Sequence, residues 1–308
     1  MDSWFNVDYS LCEFININQM ITIFTPTYNR AHLLERLYKS LCQQTQTDFE
    51  WVIVDDGSVD HTEKLIESFQ LENQIQIQFF KQENSGKHTA INNGVAMAKG
   101  ELFFIVDSDD FLPEQAIENV YFYFDKIKTL PTVAGVAGRR MYADFSIVGN
   151  QGFEEMISNS IDIRYKHNIT GDLVEVFKTA ILKSYPFPEI KGEKFCPEAL
   201  VWNRIAQNYD LLFFNKGIYI TEYLEGGLTS SIVKIRRQSP QLTTLHYAEL
   251  ECLAIPFLQK LKANVNFWRF SFNSAASFWV LLKRVSFINS IIGLPFGFLM
   301  YVNDGRKL

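Results

Sequence analysis

Between residues 20 and 125 the chain repeats one order of apolar and polar positions: a short apolar run, then an amphipathic stretch. Ile21-Thr22-Ile23-Phe24 reads as a strand broken at Pro26, and Leu33, Leu34, Leu37 and Leu41 then fall on one face at helical spacing. Phe49–Val54 is a second apolar strand, running into Asp55-Asp56-Gly57-Ser58, and the helix after it carries Leu65, Ile66 and Phe69. Ile75–Phe79 alternates with period two, the pattern of a half-solvated strand. A helix over 87–98 buries Ala90, Ile91, Gly94 and Val95, and Gly100 ends it. The apolar run Leu102–Val106 leads directly into Asp107-Ser108-Asp109-Asp110. Such alternation predicts an α/β fold with a doubly wound, mainly parallel sheet and right-handed crossovers. Pro26–Asn29, Asp55–Ser58 and Asp107–Asp110 then share the carboxyl edge, where ligands of open α/β sheets bind.

Beyond residue 130 the pattern loosens. Val133–Ala137, Tyr142–Val148, Leu211–Phe214 and Ile218–Ile220 read as strands, and 198–208 as a helix with Leu200, Val201 and Ile205 apolar. Residues 241–262 and 267–285 are helical in pattern and aromatic-rich, and Lys283 and Arg284 precede the apolar run Phe287–Val302. That run is short for a spanning helix, which needs about 20 residues, and is interrupted by Asn289, Gly293 and Pro295. It suits a helix lying at a membrane interface or one packed on the domain. The chain thus divides into an N-terminal extension (1–19), two halves of one α/β domain (20–125 and 126–238) and a helical C-terminal extension (239–308).

Size and charge narrow the function. A chain of 308 residues, 47% hydrophobic and 21% charged, buries a substantial core. Its formal net charge of −6 argues against broad electrostatic binding of nucleic acid. Cys12, Cys42, Cys196 and Cys252 form no close pair, which suits free thiols in a reducing compartment. No secretory leader is expected at the N-terminus.

Three carboxylates where a buried strand emerges are costly to hold together unless a cation neutralises them, and hard divalent cations prefer oxygen ligands. An acidic turn capping the helix that starts near Pro113 is the plainer alternative.

The segments Ile21–Arg30, Val52–Ser58 with Asp60 and Thr62, Asn84–Gly100 and Asp107–Asp110, in unbroken order over roughly 20–125, resemble family 2 glycosyltransferases of bacterial surface-polysaccharide type. The resemblance implies the GT-A fold, a Rossmann-like doubly wound sheet. It puts Pro26, Thr27 and Tyr28 beside the nucleobase and ribose of a nucleotide-diphosphate sugar, with Asp55 or Asp56 accepting a hydrogen bond from the base. Ser58 or Asp60 doubles as the cap of the following helix. Lys87 and the helix start behind Ser85-Gly86 face the diphosphate, since a helix N-terminus favours anions. Asp107 and Asp109 form the Asp-x-Asp pair: Asp107 nearer the ribose, Asp109 the main ligand of Mn²⁺ or Mg²⁺, with Asp110 supporting them.

Glu198, at the start of its helix, resembles the base of inverting members, which takes the proton from the acceptor hydroxyl. This chain reads Glu198-Ala199 where family patterns often carry two acids, and Glu193 is the alternative base. The Tyr223–Ser230 loop, followed by Lys234, Arg236 and Arg237, would close over the diphosphate or face anionic lipid. The activity implied is metal-dependent, inverting transfer to a saccharide or lipid-linked acceptor. It would take place in the cytoplasm or on the inner face of the cell membrane, with peripheral contact through 265–303. Two other classes stay open: a sugar-phosphate nucleotidyltransferase, although Thr25–Arg30 has no glycine, and a nucleotide-sugar-binding protein without turnover.

Overall fold

In the computed structural model the described residues are 20–149, 152–221 and 228–307. The extension over 1–19 and most of the loop expected over 223–230 lie outside them. The first half runs β1 (Ile21–Thr27), α1 (Ala31–Cys42), β2 (Phe49–Asp55), α2 (Thr62–Glu72), β3 (Gln76–Lys81), α3 (Lys87–Met97), β4 (Leu102–Ile105) and α4 (Ala116–Asp125). The second adds β5 (Val133–Met141), β6 (Met156–Ser158), α5 (Asp162–Tyr165), β7 (Leu173–Lys178), α6 (Thr179–Ser184), α7 (Glu198–Ala206) and β8 (Asp210–Ile220). Helices α8 (Leu228–Gln238), α9 (Pro240–Cys252), α10 (Phe257–Ser271), α11 (Phe278–Leu282) and α12 (Phe287–Lys307) follow.

The strands form one eight-stranded sheet in the order β3-β2-β1-β4-β7-β5-β8-β6. From β3 to β4 every pairing is parallel, as the alternation predicts. Strand β7 then enters antiparallel between β4 and β5, β5 pairs parallel with β8, and β6 closes the edge antiparallel. The result is the mainly parallel, doubly wound α/β architecture expected, with helices on both faces of the sheet and further helices at the C-terminal end.

Both sheet faces are covered, which is why β1 and β2 are buried along their whole length. Ile21, Ile23, Trp51 and Ile53 face the core shared with α1, α2 and α4. Phe24, Val52 and Val54 face the core shared with α3, α6 and α7. Period-two alternation thus assigns residues of one strand to two different cores.

Several boundaries differ from the sequence expectation. Pro26 does not break β1: it lies beyond the last β1–β4 pair, Phe24–Ile105, so its missing N–H costs no bond to β4. Tyr142–Val148 is a turn, not a strand. The Asp144 carboxylate accepts from the Ser146 amide at 2.9 Å, and Phe145 takes a left-handed φ of 64°. Leu211–Phe214 and Ile218–Ile220 are one strand, β8, whose register against β5 slips between Ala137 and Arg139 to absorb the residues between them. The helix expected over 241–262 divides at Pro256, because the residue before a proline is pushed out of the helical region. The span 267–285 likewise divides into the end of α10 and the short α11. Pro295 sits inside α12 on its exposed side, so the helix runs 21 residues, longer than the apolar run alone.

Candidate active site

Most of the charged side chains at the carboxyl edge stand at the end of an element, Arg36 within α1 and Arg140 within β5 being exceptions. Strand β4 stops at Ile105, and Asp107–Asp110 turns away with the Asp110 amide donating to the Asp107 carbonyl at 3.1 Å. The turn is stapled to β8: the Asp107 amide donates to the Tyr219 hydroxyl at 2.9 Å, and Phe111 and Ile220 exchange backbone bonds of 3.1 and 2.8 Å.

Every acid in the turn has its own cation. Arg30, just after β1, meets Asp109 at 2.6 Å, and Arg36 of α1 donates to the Asp109 carbonyl at 2.6 Å. Lys87, the first residue of α3, bridges Asp107 at 2.5 Å and Glu198, the first residue of α7, at 2.7 Å. Arg140 of β5 approaches Asp110 at 3.4 Å and lies over the Tyr219 ring at 4.3 Å. Pairing of this kind offsets the cost of desolvating like charges side by side.

The titration of the cluster follows from that layout. Burial pushes the Asp107 carboxyl up, but Lys87, Arg140 and Arg30 hold it below the ordinary aspartate range. Asp110 is raised to about 6, by burial first and then by Asp107. Glu175 of β7, near Arg164, Glu198 and Arg140, is raised to about 7, chiefly by burial. Burial and the acids also push the Tyr219 phenol well up, so it stays a neutral hydroxyl.

At the ends of β1 and β2 the two aspartates divide their work. Asp55 accepts from the Ser58 amide at 2.9 Å and the Ser58 hydroxyl at 2.5 Å through one oxygen. Its other oxygen is buried without a hydrogen-bond partner, with Lys81 at 4.0 Å. Asp56 spends both oxygens on the protein, accepting from the Gln82 side chain and the Ser85 and Gly86 amides at 2.7–2.9 Å. It thereby shapes the loop that presents Lys87. Gly86 has a φ of 96°, and a Cβ there would stand 2.0 Å from the Lys194 carbonyl oxygen. Tyr28 is exposed, whereas Pro26 and Thr27 lie in the buried strand, with the Thr27 hydroxyl unpartnered. Of the two cap candidates, Asp60 accepts from the Thr62 amide at 3.1 Å, while Ser58 is committed to Asp55 and Asn29.

Glu193 and Glu198 are set apart by geometry. Both oxygens of Glu193 accept from the first turn of α9, the Gln241 and Leu242 amides at 2.7 and 2.8 Å. Glu198 instead faces the acidic turn through Lys87. Arg236 and Arg237 do not reach that edge: Arg236 bonds the Tyr247 hydroxyl of α9, and Arg237 lies over the Tyr301 ring of α12 at 4.7 Å. They hold α8 to the C-terminal helices. A cavity of about 1090 Å³ between α5, α7 and α9, lined by Ile161, Leu245 and Glu249 among others, includes none of the acidic turn.

The side chains the sequence reading missed are Arg30, Arg140, Tyr219 and Glu175. Two charged residues inside the apolar segment Val133–Met141 are the signal for Arg140; Tyr219 and Glu175 carry none.

The residues present fit a divalent cation. Asp107 and Asp109 offer hard oxygen donors, both part-exposed at the end of β4. Among the described residues no group of three His, Cys, Asp or Glu side chains stands ready for a metal. Mg²⁺ is commonly held by only one or two carboxylates together with substrate phosphates and water.

A model of the family described as "Glycosyl transferase family 2" matches residues 22–183, more than half the chain. Glycosyltransferase GlyG of Streptococcus pneumoniae is 28% identical over 225 residues, 69% of this chain and 73% of that protein. The poly(ribitol-phosphate) beta-N-acetylglucosaminyltransferase TarP of Staphylococcus aureus is 31% identical over 147 residues, 46% of this chain and 45% of that protein. Among solved structures, S. aureus TarS 1-349 in complex with UDP-GlcNAc superposes with a TM-score of 0.63 at 19% identity, covering 93% of this chain and 89% of that one. The mannosyltransferase PcManGT of Pyrobaculum calidifontis, in complex with GDP-Man and Mn²⁺, gives 0.56 at 18% identity, over 92% and 87%. At these identities the structures establish the shared fold.

Proposed function

The chain belongs to glycosyl transferase family 2, and from that premise we propose an inverting transfer of a sugar from a nucleotide diphosphate to a saccharide or lipid-linked acceptor of a bacterial surface polysaccharide. One observation carries the reading: Lys87 draws Asp107, from the end of β4, and Glu198, from the start of α7, to one point. In this reading 20–125 is the donor half, 126–238 the acceptor half and 239–308 the extension.

The donor lies along the strand ends. Asp55, with its free oxygen, receives the base, Pro26, Thr27 and Tyr28 flank it, and Asp56 acts through the loop it shapes. Asp107 faces the ribose. Asp109, with Asp107, would hold Mn²⁺ or Mg²⁺; such an ion neutralises charge on the diphosphate leaving group. Complexes of relatives with UDP-GlcNAc and with GDP-Man and Mn²⁺ support a donor of this class. The diphosphate competes for Lys87, which releases Glu198 from its ion pair. Glu198 then takes the acceptor hydroxyl proton, the hydroxyl oxygen bonds the anomeric carbon, and the bond from that carbon to the diphosphate oxygen breaks. Glu193 is excluded from this role in the reading, because its oxygens anchor α9.

The test is a screen of nucleotide sugars for stabilisation against heat, with and without manganese, since ligand binding raises apparent stability by mass action. A metal-dependent rise with one donor, followed by transfer to a glycan acceptor, is expected. Pyrophosphate released from a nucleoside triphosphate and a sugar phosphate would overturn the reading in favour of nucleotidyl transfer. The enzyme is assigned to the cytoplasm, peripheral to the inner face of the cell membrane.

A further inference from the structure

Helix α12 is packed inside out. Its buried positions include Asn289, Ser290, Gly293, Gly297 and Asp304, while Phe287, Ile288, Ile291, Ile292, Phe296 and Leu299 face outward. The inner face is bonded to the protein. Glu251 of α9 accepts from the Asn289 side chain at 2.6 Å, the Asn264 side chain at 3.1 Å and the Ser286 amide at 3.2 Å. The Trp268 indole donates to Ser290 at 3.0 Å, and Arg269 makes two bonds of 2.7 Å to Asp304. A Cβ on Gly293 would lie 1.9 Å from the Asn264 oxygen, so glycine is what lets α12 come this close to α10. Helix α11 adds to the outward hydrocarbon: Trp279 is 71% exposed, and Phe278 and Val280 are exposed beside it.

This surface is larger than the scattered apolar residues of an ordinary protein exterior. Its charge narrows the occupant. From Leu253 to Asn303 the chain carries Lys260, Lys262, Lys283 and Arg284 besides Arg269, which is spent on Asp304, and neither Asp nor Glu, although its net charge is −6. Lys283 and Arg284 are exposed between α11 and α12. A second copy meeting this face through a two-fold axis would confront these cations with their own kind and offer no carboxylate from the segment. An anionic bilayer supplies both the apolar interior and the negative surface. Among the described residues no helix is long and apolar enough to cross a membrane.

We propose that the outward faces of α11 and α12 lie in the plane of an anionic membrane, with their apolar side chains at the acyl boundary and Lys283 and Arg284 at the headgroups. This gives the peripheral contact assigned above its surface, and it is measured by binding alone, so its failure leaves the transfer reading intact.

Flotation of the full chain with phosphatidylcholine vesicles containing phosphatidylglycerol, against pure phosphatidylcholine, tests it. The protein is expected to float with the anionic vesicles and much less with the neutral ones, with a blue shift in tryptophan emission that Trp279→Phe removes. The variant I288E/I291E/F296E changes only outward side chains; its melting temperature is expected to hold while the bound fraction falls at least tenfold. K283E/R284E should weaken binding to anionic vesicles by roughly tenfold or more and leave neutral vesicles unaffected. The proposal is overturned if the unaltered protein fails to float with anionic vesicles, or if the apolar triple variant floats equally well. Sedimentation showing a dimer that this variant dissociates, with no vesicle binding, would reassign the face to a second copy.

Discussion

At the carboxyl edge of the sheet the chain gathers charge where strands emerge from a buried core; along α12 it turns hydrocarbon outward and polar groups inward. Both regions run against the usual partition of residues between interior and surface. They differ in how the exception is compensated. Asp107, Asp109 and Asp110 each find a cation from another element, so the edge is balanced before any ligand arrives. The outward face of α12 has no such internal partner among the described residues. In the reading proposed above, the donor exchanges with the ion pairs of the balanced edge, and the membrane completes the unbalanced face.

The comparison breaks first at Glu198. Replacement by Gln is expected to lower transfer by about 10²–10⁴ while donor-induced stabilisation persists; undiminished turnover would move the base off α7. Asp109→Ala should abolish the manganese-dependent part of donor stabilisation, read from melting curves with and without the ion. Manganese-dependent affinity surviving in that variant refutes the metal assignment.

On the other side, Glu251→Ala leaves the Asn289 amide and the Ser286 N–H without their acceptor and takes one acceptor from the Asn264 amide, which keeps Ser290. Chemical denaturation should show a loss of about 3 kcal/mol. Unchanged stability would mean that the polar inner face does not anchor α12.

The smallest effect concerns Glu175. Its folded carboxyl titrates at about 7, above its ordinary value of 4.5. The stability this contributes is complete below about pH 4.5 and is lost as pH rises through 7. Gln carries no such loss, so Glu175→Gln is expected to be more stable than the parent chain at pH 8 by on the order of 1–3 kcal/mol. The gain should close towards pH 5, and a gain independent of pH would remove Glu175 from the buried acids.

Much of the edge was legible because its signals are local. An apolar run of four to six residues followed by acids names both a strand and its exit, and two such exits, with the Pro26–Asn29 exit before them, imply a shared edge in α/β alternation. Glu198 came instead from the family resemblance, which expects an acid at the opening of that helix. Other features had no local signature. Tyr142–Val148 has strand-like composition, yet Asp144 and Ser146 close a turn within it. Asp55 and Asp56 are adjacent and chemically alike, and only the loop packed against Asp56 separates a free oxygen from two committed ones. Glu193 and Glu198 were separated likewise, by the amides of α9.

The sequence alone determined the α/β alternation, the gathering of Asp55, Lys87 and Asp107 at one edge and the aromatic character of the tail, because periodicity and strand ends depend on near neighbours in the chain. The tertiary structure alone decided which cation meets which acid, that Tyr219 staples a turn 112 residues away, and which face of α12 looks outward. Those outcomes depend on packing between distant segments, where burial raises the cost of an unpaired charge and only the folded arrangement supplies its partner.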